Sequence, residues 1–465
     1  MTRVERRRLI RRRRIFVASV AAGLIAAIVL VTALVGAIKK IGDKGEVSSS
    51  PQTVQSETVT SVDTSSAVDS SSEVSSVTQS STVSTSSQTT TSSTPVKPNK
   101  KRPGKPDKSV TVLNTGDILI HDNLLWGAKQ ADGSYDFSKF FMHSRKYINA
   151  ANFAIANLEV TLGGEAAGNY RGYPGFNSPD SLIDYLKADG FDLLLTSNNH
   201  SLDTGAAGLK RTVQQLKARN MGFLGTKETA NDPTYIVKDV GGIKIGMVCY
   251  TYGTNNSTAG AESLINRFSS SNLAAFYTAA QGVIDSMKRD GAEAIVFYMH
   301  WGQEYKTSPN TYQKSIAQQL CNMGVDVIVG AHPHVIQPID LLYSEDSQNT
   351  TVCLYSMGNA ISNQRIEEMT GLCTSGHTED GLFFNYTFSK DSDGVYLSGV
   401  DIIPTWVNRY GNAGDYDYTV YPMESADMAN SYGLDAATAA KARASYERTM
   451  AIVGEGLKRC KDTIG

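Results

Sequence analysis

The chain has 465 residues, with 44 Lys and Arg against 46 Asp and Glu, and a formal net charge of −2. Residues 1–108 hold 17 basic and 8 acidic side chains, a net of +9, whereas the other 357 residues hold 27 and 38, a net of −11. An acidic body argues against nucleic-acid binding, and its length suffices for one large α/β domain or two smaller ones. The five cysteines fit neither a disulfide scaffold nor a Cys-x-x-Cys metal site.

The first 40 residues have the pattern of a membrane anchor. Residues 1–14 contain eight Arg and one Glu, the 24 residues from 15 to 38 carry no charge, and Lys39 and Lys40 follow directly. A helix of about 20 residues spans the hydrocarbon core, and the Arg excess before it keeps the amino terminus in the cytoplasm. We therefore predict a cytoplasmic tip over 1–14, an uncleaved signal anchor over 15–38 and an extracellular main domain. The alternative, a cleaved signal peptide, gives the same compartment.

Residues 39–108 are predicted to form a disordered linker between the membrane and the main domain. From 48 to 94, 30 of 47 residues are Ser or Thr, and four Pro and six basic residues follow by position 108. Such a composition buries too little apolar surface to offset the entropy of ordering. The segment therefore suits a tether.

From residue 109 onward, short β-rich runs alternate with helical patterns, which predicts an α/β fold. We assign residues 109–410 to one domain and 411–465 to a helical extension. The expected strands are 110–114, 153–157, 192–196, 243–250, 294–299, 326–329, 351–355, 382–388 and 395–403. The expected helices are 138–150, 179–189, 206–219, 271–288, 310–323 and 436–459.

Polar side chains follow six of these apolar strands. In an open α/β sheet the carboxyl ends of the strands gather at one edge, where ligands bind. The residues delivered to that edge are Asp117, His121, Asn157, Glu159, Asn199, His200, Asp203, His300, His332, His334 and Asn359.

Carboxylate, amide and imidazole ligands without thiolates suit divalent Mn, Fe, Zn or Mg. Two neighbouring ions generate a hydroxide and clamp the oxygens of a transferred phosphoryl group. A Ser-His-Asp triad is a weaker interpretation, because no Gly-x-Ser-x-Gly turn is present. The chain also lacks a P-loop and a His-Glu-x-x-His motif.

In combination, the motifs of this edge resemble those of the bacterial capsule-synthesis CapA family, also called the poly-gamma-glutamate biosynthesis family. The domain of that family is similar to the calcineurin-like metallophosphoesterases. The resemblance covers about residues 109–406. The motifs are Gly116-Asp117-Ile-Leu-Ile-His121, Asn157-Leu-Glu159, Asn198-Asn199-His200-Ser-Leu-Asp203-x-Gly205, His300-Trp-Gly-x-Glu304, Gly330-Ala-His332-Pro-His334 and Tyr355-Ser-Met-Gly358-Asn359.

The resemblance implies a metallophosphoesterase-like two-sheet sandwich flanked by helices, with two divalent metal ions. The implied ligands are Asp117, His121 and His334 for one ion, Asn199, His300 and His332 for the other, and Glu159 between them. His200, oriented by Asp203, would protonate the leaving group or stabilise the transition state. Two departures from the pattern are Glu159, where many phosphoesterases have Asp, and the spacing Asp117-x-x-x-His121. As substrate contacts we consider Asn359, which alternatively orients a turn, and Arg171, which lies on a Gly- and Pro-rich loop and alternatively has only a surface role.

Two functional hypotheses remain open from the sequence. The first is an anchored, metal-dependent hydrolase or transferase that acts on a capsule or other envelope polymer. The second is a non-catalytic accessory subunit that holds an anionic polymer or capsule synthase subunits at the same edge. The net charge of −11 disfavours direct polyanion binding by the body and favours a bridging cation.

Overall fold

The computed structural model describes residues 105–346 and 348–464. The predicted cytoplasmic tip, the predicted anchor and residues 39–104 of the predicted linker lie outside these described residues. Among the described residues, no helix combines the length and the apolar character needed to cross a membrane.

The strands of the described residues form two sheets. The larger sheet has the order β14-β13-β12-β1-β2-β3-β4, with β11 paired to β1, and the smaller has the order β5-β6-β7-β8-β10-β9. Strands β1, β2, β3 and β4 are mutually parallel, as are β6, β7, β8 and β10. The bounds are β1 Lys108–Ile118, β2 Phe153–Leu158, β3 Leu193–Leu195, β4 Gly222–Leu224, β5 Tyr235–Val240, β6 Ile243–Thr251, β7 Ala294–His300, β8 Val327–Ala331, β9 Ile339–Tyr343, β10 Thr350–Leu354, β11 Asn359–Ile361, β12 Asp380–Asp391, β13 Gly394–Asn412 and β14 Asp415–Pro422.

The helices other than the last cover the outer faces of the sheets, whereas the long carboxy-terminal helix contributes to the core between the sheets. The α-helices are α1 Asp122–Ala128, α2 Arg145–Ile148, α3 Ser181–Asp189, α4 Gly205–Ala218, α5 Leu273–Arg289, α6 Thr311–Asn322 and α7 Ala436–Thr463. Short 3₁₀ helices occupy Glu165–Ala167, Glu262–Leu264, His377–Glu379 and Ala426–Tyr432.

The main core lies between the two sheets. Val112 and Ile155 of the larger sheet pack with Met247, Val296 and Val329 of the smaller one. Because side chains alternate across a strand, the intervening residues face outward. On the larger sheet these residues pack with α3 and α4, and on the smaller sheet with α5 and α6. Both faces of the parallel strands are therefore buried, which explains their continuous apolar runs. The expected two-sheet sandwich flanked by helices is the observed architecture.

All nine predicted strands are present, and five of the six predicted helices. The helix expected over 138–150 is wrong, because only Arg145–Ile148 is α-helical there. The large apolar residues of this stretch, Phe140 and Phe141, are buried under the larger sheet by a chain that proceeds in turns. The helical extension expected over 411–465 also needs correction, since Asp415–Pro422 forms an edge strand of the larger sheet.

Two glycines of α7 provide a matched test of how this helix packs. A Cβ at Gly456 would lie 1.9 Å from the carbonyl oxygen of Ile339 in β9, whereas a Cβ at Gly454 would approach no heavy atom closer than 3.8 Å. Gly456→Ala is therefore expected to lower the free energy of unfolding by about 1–3 kcal/mol through overpacking. Gly454→Ala should raise it by roughly 0.5–1 kcal/mol, because Ala is the better helix former. Urea unfolding measures both variants, and equal stability of the two would contradict this packing.

Candidate metal centre

The carboxyl ends of parallel strands from both sheets meet at one edge of the sandwich. Asp117 lies near the end of β1, and Glu159 directly follows β2. His300 is the last residue of β7, and His332 directly follows β8. Asn199 lies in the turns that follow β3. The strand ends thus bring together side chains from distant parts of the sequence, as the strand pattern predicts.

Two glycines allow the backbone to approach closely at this edge. A Cβ at Gly116 would lie 1.8 Å from the carbonyl oxygen of Gly358, and the register of β1 against β2 shifts at this position. A Cβ at Gly330 would lie 1.9 Å from the carbonyl oxygen of Tyr355. Any side chain at either site would push the neighbouring strand away. The Gly-Asp and Gly-Ala-His motifs therefore begin with glycine for reasons of backbone packing.

Two groups of buried side chains have the geometry of a metal site. Asp117, Glu159 and His300 form one, and Glu159, His332 and His334 form the other, with the candidate ligand atoms of each group within 4.8 Å of one another. Oε1 of Glu159 lies 3.6 Å from Nε2 of His300 and 3.8 Å from Nε2 of His334. Glu159 belongs to both groups and is the residue around which the others are arranged.

The residues present fit a cation. Oε1 of Glu159 and Nδ1 of His332 are buried and have no hydrogen-bond partner. Burial, and next the charge of Asp117, raises the pKa of Glu159 well above its usual range. Burial, followed by the neighbouring imidazoles, lowers the pKa of His300 and His332 well below theirs. Neutral imidazoles beside unpaired carboxylate oxygen are the donors that a divalent cation takes up.

Asn359 orients His334 from inside the protein. Nδ1 of His334 lies 3.1 Å from Oδ2 of Asp117 and 3.1 Å from Oδ1 of Asn359, so it donates its proton to acceptors on that side and leaves Nε2 as the ligand atom. The amide nitrogen of Asn359 donates to Gln364 Oε1 and to the carbonyl oxygen of Thr378. Asn359 is fully buried, and these bonds agree with the alternative that it orients a turn. Its contact with substrate stays a prediction.

Asn157, which the sequence placed at this edge without a role, joins the two carboxylates. Its Nδ2 donates to Oδ1 of Asp117 at 2.7 Å and to Oε2 of Glu159 at 3.3 Å. The amide thereby holds two buried, like-charged groups in a fixed orientation. The signal was available, because Asn157 and Glu159 are separated by two positions and side chains in an extended strand alternate between its faces.

The backbone at the two histidines after β8 is strained. His332 has φ of 97° and His334 has φ of 56°, values that favour glycine. Each such residue costs on the order of 1–3 kcal/mol, which the surrounding structure must offset. His332 is fixed by a hydrogen bond of 3.2 Å from its backbone N–H to Oδ2 of Asp117. These backbone conformations place both imidazoles at the same edge of the sandwich.

His200 and Asp203 form the expected pair beside the candidate ligands. Nδ1 of His200 lies 2.7 Å from Oδ2 of Asp203, and both side chains are buried. The same carboxylate oxygen accepts from the backbone N–H of Phe176 at 2.7 Å. The carboxylate therefore holds the proton of His200 on Nδ1 and leaves Nε2 free to exchange a proton with a ligand.

Asn199, His121 and Arg171, the other residues predicted for the site, differ in their distance from the candidate ligands. Oδ1 of Asn199 lies 2.8 Å from Nε2 of His300, at the same ligand cluster. His121 lies in neither candidate group. Its Nδ1 lies 3.3 Å from the backbone nitrogen of Asn363 and 3.2 Å from the carbonyl oxygen of Leu119, and burial lowers its pKa to about 4. The guanidinium of Arg171 donates to the carbonyl oxygens of Ala167 and Asn169 on its own loop.

Tyrosines that the sequence did not single out line the wall of the centre. The ring of Tyr252 lies 4.7 Å from that of His332, and the ring of Tyr305 lies 6.3 Å from that of His334. Burial, and next the charge of Glu304, raises the pKa of Tyr252, so its hydroxyl stays protonated. Tyr252 directly follows β6. Its position directly after an apolar strand, like that of the other residues of this edge, was the available signal.

Residues 111–364, more than half of the chain, match the family model described as bacterial capsule synthesis protein PGA_cap. The chain belongs to the PGA_cap family. The resemblance inferred from the motifs is thereby confirmed, and the candidate ligands from Asp117 to His334 all fall within the matched range.

This PGA_cap member is similar to two proteins from Bacillus. It is 26% identical over 263 residues to the capsule biosynthesis protein CapA of Bacillus anthracis, covering 56% of this chain and 61% of that one. It is 30% identical over 229 residues to the PGA biosynthesis protein CapA of Bacillus subtilis strain 168, covering 47% and 53%. The chain thus spans between half and two thirds of the length of these relatives.

Among solved structures, the chain is similar to the calcineurin-like phosphoesterase YfkN from Bacillus subtilis. The TM-score is 0.36 at 14% sequence identity, and the match covers 74% of this chain and 98% of that chain.

Proposed function

We propose that this protein is a metal-dependent hydrolase or transferase that acts in the synthesis of a capsule or other cell-envelope polymer. The observation that carries the proposal is the unpaired, buried Oε1 of Glu159 between Nε2 of His300 and Nε2 of His334. A buried carboxylate without a partner is costly, and a bound cation removes that cost. Membership of the PGA_cap family supports the link to capsule synthesis.

Two divalent ions fit the proposal better than one, because Glu159 belongs to two ligand groups. Asp117 and His300 would hold one ion, and His332 and His334 the other, with Glu159 contributing to both. Asn199 lies beside His300. Bound ions of this kind supply a hydroxide nucleophile and stabilise charge on the oxygens of the group that is transferred. Mn, Fe, Zn and Mg all suit this set of nitrogen and oxygen ligands.

The remaining chemistry is assigned to the chain's own side chains. Asp203 fixes Nδ1 of His200, and Nε2 lies beside Asn255, which also contacts Asn199. Nε2 would take a proton from the incoming acceptor and then give it to the leaving group. Tyr252 and Tyr305 flank the centre and limit the access of water. These roles describe hydrolysis when water accepts the group, and transfer when a polymer end accepts it.

The proposed location is the outer face of the cell membrane. The charge pattern of residues 1–40 supports an anchor, and the Ser- and Thr-rich segment supports a tether of the catalytic domain. In this position the domain would meet an anionic polymer as it leaves the membrane, together with capsule synthase subunits. The −11 charge of the body makes bound cations the expected contact with such a polymer.

Metal content and turnover test the proposed chemistry directly. The purified full-length chain, equilibrated in turn with Mn, Fe, Zn and Mg and then desalted, is expected to retain stoichiometric metal in at least one case. That form should hydrolyse bis(p-nitrophenyl) phosphate, and His332→Ala should lose both metal and turnover. A chain that binds none of these metals and has no activity would overturn the proposal.

A cellular experiment separates the enzyme from the accessory subunit. Cells in which His332 and His334 are both replaced by Ala should show the same loss of envelope polymer as cells with the gene deleted. Normal polymer in the double variant, with loss in the deletion strain and equal protein levels, would favour the non-catalytic role.

A further inference from the structure

The segment 252–256, which follows β6, lies against both halves of the candidate centre. At its start, the backbone N–H of Tyr252 donates to the carbonyl oxygen of His300 at 3.0 Å. Near its end, the backbone N–H of Asn255 donates to the carbonyl oxygen of Asn199 at 2.8 Å. The segment therefore bridges a candidate metal ligand from β7 and the turn that carries His200.

The side chain of Asn255 is exposed, yet it contacts two residues of the centre. Its Nδ2 lies 3.4 Å from Nε2 of His200, and its Oδ1 accepts from Nδ2 of Asn199 at 3.4 Å. Because Asp203 holds the proton of His200 on Nδ1, Nε2 is the acceptor and Asn255 is the donor. The carboxamide thus covers the ring nitrogen that the proposed chemistry needs.

Both side-chain contacts of Asn255 are at the long end of hydrogen-bond distances. Weak bonds of an exposed side chain are readily exchanged for stronger ones. The backbone bonds of Tyr252 and Asn255, at 3.0 Å and 2.8 Å, are shorter and hold the segment in place. The carboxamide of Asn255 can therefore exchange its partners while the backbone of the segment stays where it is.

We propose that Asn255 is a substrate-binding residue whose carboxamide covers Nε2 of His200 in the free protein and donates to an oxyanion of the substrate when the centre is occupied. This inference rests on the proposed function and adds to it a residue that uncovers Nε2 of His200 when the substrate binds. A neutral amide suits the task, since it binds an acceptor oxygen without competing with the carboxylates for cations. A hydrogen bond to a charged oxygen strengthens binding by about 10- to 100-fold.

Phosphate binding tests the donor role of Asn255. Titration calorimetry of the metal-loaded full-length chain with inorganic phosphate is expected to show binding that Asn255→Ala weakens by about 10- to 100-fold. Asn255→Asp should weaken it at least as much, because a carboxylate repels the anion. Asn430→Ala, an exposed Asn near α7, is the matched control and should bind as the wild type does.

A second measurement uses the metal-free protein. The ¹⁵N resonance of His200 Nε2 should shift in Asn255→Ala and stay unchanged in Asn430→Ala, because only the first substitution removes its donor. The inference would be overturned if wild type and Asn255→Ala bound phosphate equally well, or if the Nε2 resonance did not change. The proposed function would stand in that case, provided that the wild type binds metal. Absence of bound metal in the wild type is the distinct result that would count against the proposed function.

Discussion

Replacing Glu159 with Gln is expected to stabilise the metal-free protein and to abolish its stabilisation by metal. Without a cation, the side chain is fully buried, its Oε1 has no partner, and Asp117 repels its charge. Removing that charge should raise the free energy of unfolding by about 1–2 kcal/mol. With metal at roughly 100 times its dissociation constant, the wild type gains about 2.7 kcal/mol, and Glu159→Gln should lose most of that gain.

Thermal unfolding with and without added metal tests whether metal reverses the order of stability of the wild type and Glu159→Gln. Glu159→Gln should melt above the wild type in chelator and below it in metal. Glu262→Gln, an exposed residue of a 3₁₀ helix, is the matched control and should follow the wild type in both conditions. A metal-induced rise in Tm that is as large in Glu159→Gln as in the wild type would show that the cation binds elsewhere.

Replacing His200 with Ala should lower kcat by about 10²- to 10⁴-fold while metal content is retained. The expectation follows from the 2.7 Å contact between His200 Nδ1 and Asp203 Oδ2, which leaves Nε2 as the nitrogen that lies beside Asn255 and the candidate ligand Asn199. The loss should be larger for an alkyl ester than for a p-nitrophenyl ester, because p-nitrophenolate leaves without needing a proton. Asp203→Asn should show a smaller loss with the same dependence on the leaving group, since Asp203 orients the imidazole.

Steady-state kinetics on both esters, with metal analysis of each variant, provides the measurement. His143→Ala is the matched control, because this half-buried histidine packs against Tyr421 and Tyr432 away from the candidate ligands. It should retain wild-type kcat. Two results would contradict this role, namely a fall in kcat of His200→Ala that is equal for the two esters, or a fall that follows a loss of bound metal. Either result would show that His200 has a structural or ligand role and does not transfer the proton.

That the two carboxylates meet was predictable, because their positions follow from strand periodicity. Asp117 and Glu159 lie at the ends of parallel neighbouring strands, so the sequence pattern alone predicts that they meet. The surroundings of Asn359 were not predictable to the same degree. Its place after a strand is equally typical of a substrate contact, and only the structure shows its burial and its bond to His334, which favour an orienting role.

Secondary structure was predictable where both local pattern and packing favour the same element. The parallel strands have continuous apolar runs because both of their faces are buried. The segment 138–150 failed because spaced apolar residues suggested a helix, whereas Phe140 and Phe141 reach the core from turns. The short strand β4 has too few residues for a pattern, since its neighbours in the sheet specify it. The edge strand β14 alternates polar and apolar residues from 415 to 420, so its pattern was present in the sequence and was missed.

By itself the sequence determined the order of strands and helices, the family and the edge at which polar side chains gather, because each of these depends on local pattern and motif spacing. Only the tertiary structure decided which of those side chains face one another. The bond from Asn157 to Asp117 and the contact of Asn255 with His200 each join residues of different strands or loops. That Oε1 of Glu159 has no partner also depends on where these strands and loops lie. Such contacts depend on how the two sheets pack, and packing is not encoded at any one position.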